Sequence, residues 1–299
     1  MKLFDLHTDT ATRLYFEDLS FSAPSLSGGG SYLSCFSEIR RVFAVFSRPS
    51  LSDDEAYHAF FLIRKRLFAE LATSSAAHLF PVLAVEDARL LAGHRERLSA
   101  LYKAGVRILT LLWSGATCIG GAWDTDRGLT PFGKAVLSDC LSFGILPDVS
   151  HASDPAFLEI AAIADGHLPL LATHSNSRAV YRHARNLTDS QFAVIRDSGG
   201  LVGLSLCPAH LTDAPNATTK DLLRHLDHYL SLGGEDTVAL GTDFDGIETT
   251  PVDLAHTDDL YTLANAMTQL GYPESLIRKL FYKNAEDLFG KYMKRQEAP

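Results

Sequence analysis

The chain begins with a short apolar run that ends in His7-Thr8-Asp9. Residues two apart on a strand share a face, so the His7 imidazole and the Asp9 carboxylate converge on one point. Such a pair suits a hard or borderline divalent metal. Alone the motif is short, and a strand-end turn of ordinary polar residues explains it equally well. Four later segments repeat the pattern, each an apolar strand-like run ending in an acid or an imidazole. Residues 79–85 lead into Glu86, 145–149 into His151, 168–172 into His174, and 237–240 into Asp243.

A carboxylate closing an apolar strand is costly to bury unless it is paired or bound to metal. Glu86 also suits the first turn of a following helix, whose positive end favours an acid. Asp243 lies on the last strand, which in a closed barrel neighbours the first, so its carboxylate reaches the point marked by His7 and Asp9. Asp245 better fits an acidic turn ending at Gly246. Two imidazoles, one His-x-Asp pair and a carboxylate able to bridge suffice for two metal ions. Two ions about 3.5–4 Å apart polarise a carbonyl and make hydroxide available at neutral pH. Nitrogen and oxygen ligands without thiolate suit Zn²⁺ and tolerate Mn²⁺ or Co²⁺.

These residues need a scaffold that gathers strand ends. Strand-like runs fall near 2–7, 42–46, 79–85, 106–112, 145–149, 168–173, 200–206 and 237–242. Apolar residues at helical spacing occupy 53–73, 90–103, 132–143, 155–164, 189–197 and 219–232, then 257–270 and 274–293. Eight strands with intervening helices predict an α/β fold, a (β/α)₈ TIM-type barrel of the metal-dependent hydrolase kind, as one domain over 1–299. A doubly wound open sheet is the alternative, but no G-x-G-x-x-G follows any strand. Two long irregular stretches, 20–37 and 113–130, read as functional loops.

Composition narrows the classes. Of the 299 residues 46% are hydrophobic and 21% charged, ordinary values for a globular chain, and a core of that size needs no disulfides. A net charge of −9 without a basic stripe argues against nucleic acid. No apolar stretch is long enough for a bilayer, and a strand starting at Lys2 leaves no room for a leading signal. Cys35, Cys118, Cys140 and Cys207 lack metal-knuckle spacing and read as reduced thiols. The cytoplasm is the expected compartment. His225 and His228, three apart on a helical stretch, could form a metal pair, but helices lie outside such a barrel, which favours a structural role. His183, Trp123, Asp124 and Asp126 lie where they could shape a pocket or simply face solvent.

Taken together the motifs resemble the membrane (renal) dipeptidase family of zinc peptidases, including its soluble bacterial-type members. The resemblance runs from Asp5-Leu6-His7-Thr8-Asp9 to Asn284. Its most specific stretches are Gly128 to Gly133, Asp148-Val149-Ser150-His151, His174-Ser175-Asn176-Ser177 leading to Arg185, and Gly241 to Gly246. The resemblance implies a zinc-dependent (β/α)₈ barrel with two Zn²⁺ per chain. It implies that His7 and Asp9 bind one zinc, His151 and His174 the other, and that Glu86 bridges both. Arg185 matches the arginine for the substrate's free carboxylate, and Asp243 the acid that exchanges a proton with the attacking water and the leaving amine. The implied reaction is dipeptide hydrolysis by a metal-bridging hydroxide, with a D-residue accepted at the C-terminal position, in a homodimer. One departure is clear: after the fourth strand the family has Thr-Leu-Thr-His, whereas this chain has Thr110-Leu111-Leu112-Trp113. Trp113 offers one N–H donor and cannot titrate as imidazole does. That change opens two alternatives: an amidohydrolase-like enzyme acting on a lactone, phosphoester or other amide, or a zinc-binding chain without turnover.

Overall fold

The computed structural model describes residues 1–73 and 78–296. Among the described residues eight strands, all paired in parallel, close into a barrel in chain order. They are β1 (Lys2–Thr8), β2 (Glu38–Phe46), β3 (Leu79–Glu86), β4 (Val106–Thr110), β5 (Leu146–Asp148), β6 (Leu171–Ala172), β7 (Leu201–Leu204) and β8 (Val238–Leu240). The helices are α1 (Thr10–Phe16), α2 (Asp53–Thr73), α3 (Glu96–Lys103), α4 (Pro131–Phe143), α5 (Asp154–Ala164), α6 (Asp189–Asp197), α7 (Pro208–Leu211), α8 (Thr219–Ser231), α9 (Leu260–Gln269), α10 (Glu274–Arg278) and α11 (Asn284–Gln296). The expected (β/α)₈ architecture is the one observed.

Local chemistry sets the helix ends. Thr130 caps α4 by accepting from the Gly133 N–H, Pro131 pre-sets its first turn, and Gly144 ends it at φ 72°. Thr188 and Gln191 form a reciprocal capping box on α6. Elsewhere the helical pattern is interrupted. The stretch 90–103 splits because Ala92 and Gly93 adopt positive φ, leaving a 3₁₀ turn at Ala88–Leu91 before α3. A π turn at Lys279–Lys283 separates α10 from α11. Helix α1 was not legible, being seven residues long and rich in β-branched threonine.

Two apolar clusters divide the molecule. The larger lies between the strands and the surrounding helices. The smaller fills the barrel interior with Phe4, Leu6, Val42, Ala44, Val82 and Ala84 and their counterparts on the later strands. Phe289 of α11 packs on Phe4, with ring centroids 4.9 Å apart, and Tyr282 joins it at 6.3 Å, so the C-terminal segment closes the amino end of the barrel. Asn284 ties that plug to the last strand by donating to the carbonyls of Glu235 and Val238, both at 2.8 Å. Farther up, Gly203 and Gly241 are required by close approach: a Cβ at either would lie 2.0 or 1.7 Å from the Thr173 carbonyl oxygen.

Candidate metal centre

Period-two alternation carries the interior face of each strand upward into polar residues. Val82 and Ala84 are followed on the same face by Glu86, Ile108 by Thr110, Leu146 by Asp148, and Leu171 by Thr173. Neighbouring registers bring Glu86 beside Thr110 and Thr110 beside Asp148. The register of β1 shifts between Asp5 and Thr8, where the strand delivers His7. His151 and Asp243 follow β5 and β8 at positive φ, 69° and 62°. With Asp87 and Asp245, four of the six non-glycine residues at positive φ among the described residues lie in strand-end turns, and for His151 and Asp243 that local strain aims the side chain at the site.

His7, Asp9, Glu86, His151, His174 and Asp243 converge. Glu86 Oε2 lies 3.5 Å from His7 Nε2, while Oε1 lies 3.0 Å from His151 Nε2 and 3.7 Å from His174 Nε2. Asp9 Oδ2 and Asp243 Oδ1 face His7 Nε2 at 3.4 and 4.0 Å. Among the described residues, donor atoms fall into three overlapping groups able to hold a cation: Glu86 with His151 and His174, His7 with Asp9 and Asp243, and His7 with Asp148 and His174. Asp245 points away. Its carboxylate accepts from Thr10 and Arg13 and from the backbone of Ser27 and Gly28, pinning the β1–β2 loop.

The outer ring nitrogens decide what the inner ones can do. Thr173 Oγ1 donates to Asp148 Oδ2 at 2.7 Å, and so accepts from Nδ1 of His174 at 2.9 Å and of His7 at 3.3 Å. His151 Nδ1–H donates to the Trp113 carbonyl at 3.0 Å. Each Nε2 is then left as a lone pair aimed inward, the tautomer a metal ligand needs. Two such lone pairs, His151 and His174 Nε2, stand 2.8 Å apart, which is repulsive unless a cation or proton lies beside them. His7 Nε2 and Asp9 Oδ1 are buried without hydrogen-bond partners. Unpartnered buried donors and acceptors of this chemistry fit divalent metal. Sequence reasoning assigned no role to Asp148 and Thr173, although Asp148 opens one of its most specific motifs and Thr173 immediately precedes another.

Electrostatics tell the same story. Burial would push Glu86 upward, but His7 and His151 outweigh it and hold the carboxyl below its usual range. Burial opposes a charge on His7, yet Glu86 and Asp9 raise it well above the ordinary value. Burial and the Arg185 charge lower His151 to about 4, and burial with the His7 charge lowers His174. Asp9 is pushed up to about 6 by burial and the Glu86 charge. Asp243 rises to about 8, chiefly through burial, with Asp9 and Glu86 adding and His7 opposing. The protein alone cannot keep all these groups in their ligand states at neutral pH; cations can.

Above the cluster opens a cavity of about 500 Å³. Arg185 enters it from beyond β6, buried, with Nε unpartnered and Nη2 only 3.5 Å from the His174 carbonyl. Trp113, following β4, also lines the cavity, its ring 4.8 Å from Phe46 and 6.3 Å from His151. His225 and His228 do not converge. Nδ1 of His225 accepts from the Ser177 N–H and its Nε2–H donates to the Leu211 carbonyl, while His228 pairs with Asp189. Asp124 stitches its own loop through Ser114 and Gly115. The Trp123 ring lies 5.6 Å from that of His183, which lies 4.6 Å from His210, both pairs tilted, and His210 lines the cavity with Arg185.

Buried imidazole and carboxylate donors sharing one central glutamate, at the carboxyl mouth of a (β/α)₈ barrel, define a metal-dependent hydrolase. Comparison with known proteins narrows the class. Residues 56–296 match the model of the membrane dipeptidase family, peptidase family M19. A Klebsiella pneumoniae protein, described as an uncharacterized protein in the pqqA 5′ region, is 38% identical over 215 residues, covering 67% of this chain and 77% of its own length. Among solved structures, the dipeptidase AC, a metallopeptidase of the same family, superposes with a TM-score of 0.90 at 26% identity, covering 98% of each chain. A metallopeptidase from Rhodobacter sphaeroides, liganded with a phosphinate mimic of the dipeptide L-Ala-D-Ala, gives 0.85 at 25% identity, over 98% of this chain and 99% of that one. The chain belongs to the membrane dipeptidase family and is a dipeptidase of the metallopeptidase type. No helix among the described residues is long and apolar enough to cross a membrane.

Proposed function

We propose that this chain is a binuclear zinc dipeptidase that hydrolyses dipeptides, including those with a D-residue at the C-terminal position. His7 and Asp9 would hold one zinc and His151 and His174 the other. The observation that carries the reading is Glu86, whose two carboxylate oxygens face the two sets separately, Oε2 toward His7 and Oε1 toward His151 and His174. Zinc, when bound, polarises the scissile carbonyl and makes hydroxide available at neutral pH.

The remaining roles belong to the chain's own side chains. Arg185 takes the substrate's free carboxylate, a task suited to a buried planar guanidinium with open donors. Its place selects dipeptides, because the carboxylate must lie one residue beyond the cut. Asp243 exchanges a proton between the attacking water and the departing amine. Its carboxylate faces the cluster, with Oδ1 4.0 Å from His7 Nε2, and lines the cavity, the position such a transfer requires. The Trp113 indole N–H donates to the developing oxyanion in place of the family histidine. The L-Ala-D-Ala mimic held by the Rhodobacter sphaeroides protein supports acceptance of a D-residue.

The test is hydrolysis of a mixed L,L and L,D dipeptide library by purified protein of measured zinc content, with Glu86→Gln as control. Zinc near two per chain, turnover of dipeptides and its loss in the control are expected. Zinc near two with no dipeptide cleaved would overturn the reading and direct attention to lactones, phosphoesters or a binding role.

A further inference from the structure

Resting on the dipeptidase reading, we propose that Arg48 forms a subsite for an acidic side chain on the amino-terminal residue, so that dipeptides beginning with Glu or Asp are the preferred substrates. Strand order supplies the direction. Arg185 follows β6 and Arg48 follows β2, and in a closed barrel of eight strands these two are diametrically opposed. Both line the cavity over the metal ligands. A dipeptide whose terminal carboxylate sits on Arg185 and whose scissile carbonyl sits over Glu86 therefore directs its amino-terminal residue toward β2. There Phe46 and Trp113 form an aromatic wall, and Arg48 stands two residues beyond Phe46.

The charge inventory of the cavity singles out Arg48. Asp9, Glu86 and Asp243 belong to the metal cluster, and Asp245 is saturated by loop donors. Arg13 is spent: Nε and Nη2 grip Glu17 at 2.9 and 2.8 Å, and Nη1 reaches Ser25 and Asp245. Arg48 instead lies over the face of Phe16, 4.2 Å from the ring centroid, and reaches Glu17 only at 4.0 Å, a carboxylate already held by Arg13. Phe16 thus fixes the guanidinium plane while leaving N–H donors for a carboxylate from the cavity. The aliphatic part of a Glu side chain would pack on the Phe46–Trp113 wall. Two acids stand nearby: Glu248, exposed on the same rim, would favour a basic side chain instead, whereas the Glu17 carboxylate is neutralised by Arg13.

The experiment compares kcat/KM for L-Glu-L-Ala, L-Gln-L-Ala and L-Lys-L-Ala in the zinc-loaded wild type, Arg48→Gln and Arg48→Glu. The Glu-to-Gln ratio should exceed about tenfold in the wild type, a modest value because Arg48 is partly open to solvent. It should fall to about one in Arg48→Gln, and Arg48→Glu should turn the preference to Lys-Ala. Dissociation constants for phosphinate mimics of Glu-Ala and Gln-Ala should move in the same ratio, a readout independent of turnover. Cleavage of neutral dipeptides with no Glu advantage, a ratio unmoved by Arg48→Gln, or a wild-type preference for Lys-Ala would overturn the Arg48 subsite alone. No cleavage of any dipeptide would overturn the dipeptidase reading and the subsite with it.

Discussion

The two ends of the barrel interior are made from the same strands, read only two residues apart, and they do opposite things. Toward the amino end, Val82, Ala84, Ile108, Leu146 and Leu171 fill the space with hydrocarbon, closed off by Tyr282 and Phe289. One interior step later the same strands present Glu86, Thr110, Asp148 and Thr173, all buried. The lower layer stabilises the fold by removing apolar surface from water. The upper layer lowers stability, because it buries charges and polar groups, with His7 Nε2 and Asp9 Oδ1 beside them left without partners. A barrel tolerates that cost at its mouth because the lower layer holds the strand ends in place. Function sits where the alternating pattern continues but its chemistry changes.

Substitutions in the two layers should separate these contributions. The largest effect belongs to the upper layer: Asp243→Asn should lower kcat about 10³-fold while zinc content stays unchanged. Loss of a metal ion in that variant, measured by elemental analysis, would make Asp243 a ligand and not a proton carrier. Next comes Phe289→Ala below, which should cost about 3–5 kcal/mol in urea unfolding, as for other large aromatic truncations. Zinc affinity measured on its folded fraction should be unmoved; a changed affinity would mean the two layers are coupled.

Thr173→Val removes the hydroxyl that links Asp148 to His7 and His174 without changing side-chain shape. Zinc affinity should drop about 10–100-fold, the usual consequence of losing a partner behind a metal ligand. Thr173→Ser should restore most of it, since Ser keeps the hydroxyl; a valine variant that binds zinc normally would remove Thr173 from the positioning role.

The smallest effect lies outside both layers. His225 is buried and its proton affinity is lowered, mainly by burial, with the Leu211 carbonyl opposing. Below the unfolded value of about 6.5 the unfolded chain takes up a proton that the folded chain refuses. The contribution of His225 is therefore complete above that pH and fades as the pH falls. Between pH 7.5 and 5.5 the wild type should lose more stability than His225→Gln, a small difference beside those above. Equal losses in urea titrations would show that His225 accepts the proton while folded.

Much of this was legible in the chain, and the limits are physical. Strand positions and the residues closing them follow from local alternation, which a closed parallel sheet preserves. The split of 90–103 was not legible, because the left-handed turn at Ala92 leaves the apolar spacing intact. Arg48 carried no signal either. Nothing in Phe46-Ser47-Arg48 shows that it faces a cavity, and its distance from Arg185 in sequence says nothing of their opposition across the barrel.

By itself the sequence determined the eight alternating strands, the imidazoles and carboxylates at their ends, and the tryptophan after the fourth, since each is a local fact of residue type and period. The tertiary structure alone decided which of these groups meet. Closure brought His7 of β1 beside Thr173 beyond β6, turned Asp243 inward and Asp245 toward the β1–β2 loop, left His7 Nε2 without a partner and set the inward nitrogens of His151 and His174 against each other. Those outcomes depend on backbone turns at positive φ and on contacts between residues more than a hundred positions apart, and no local pattern encodes either.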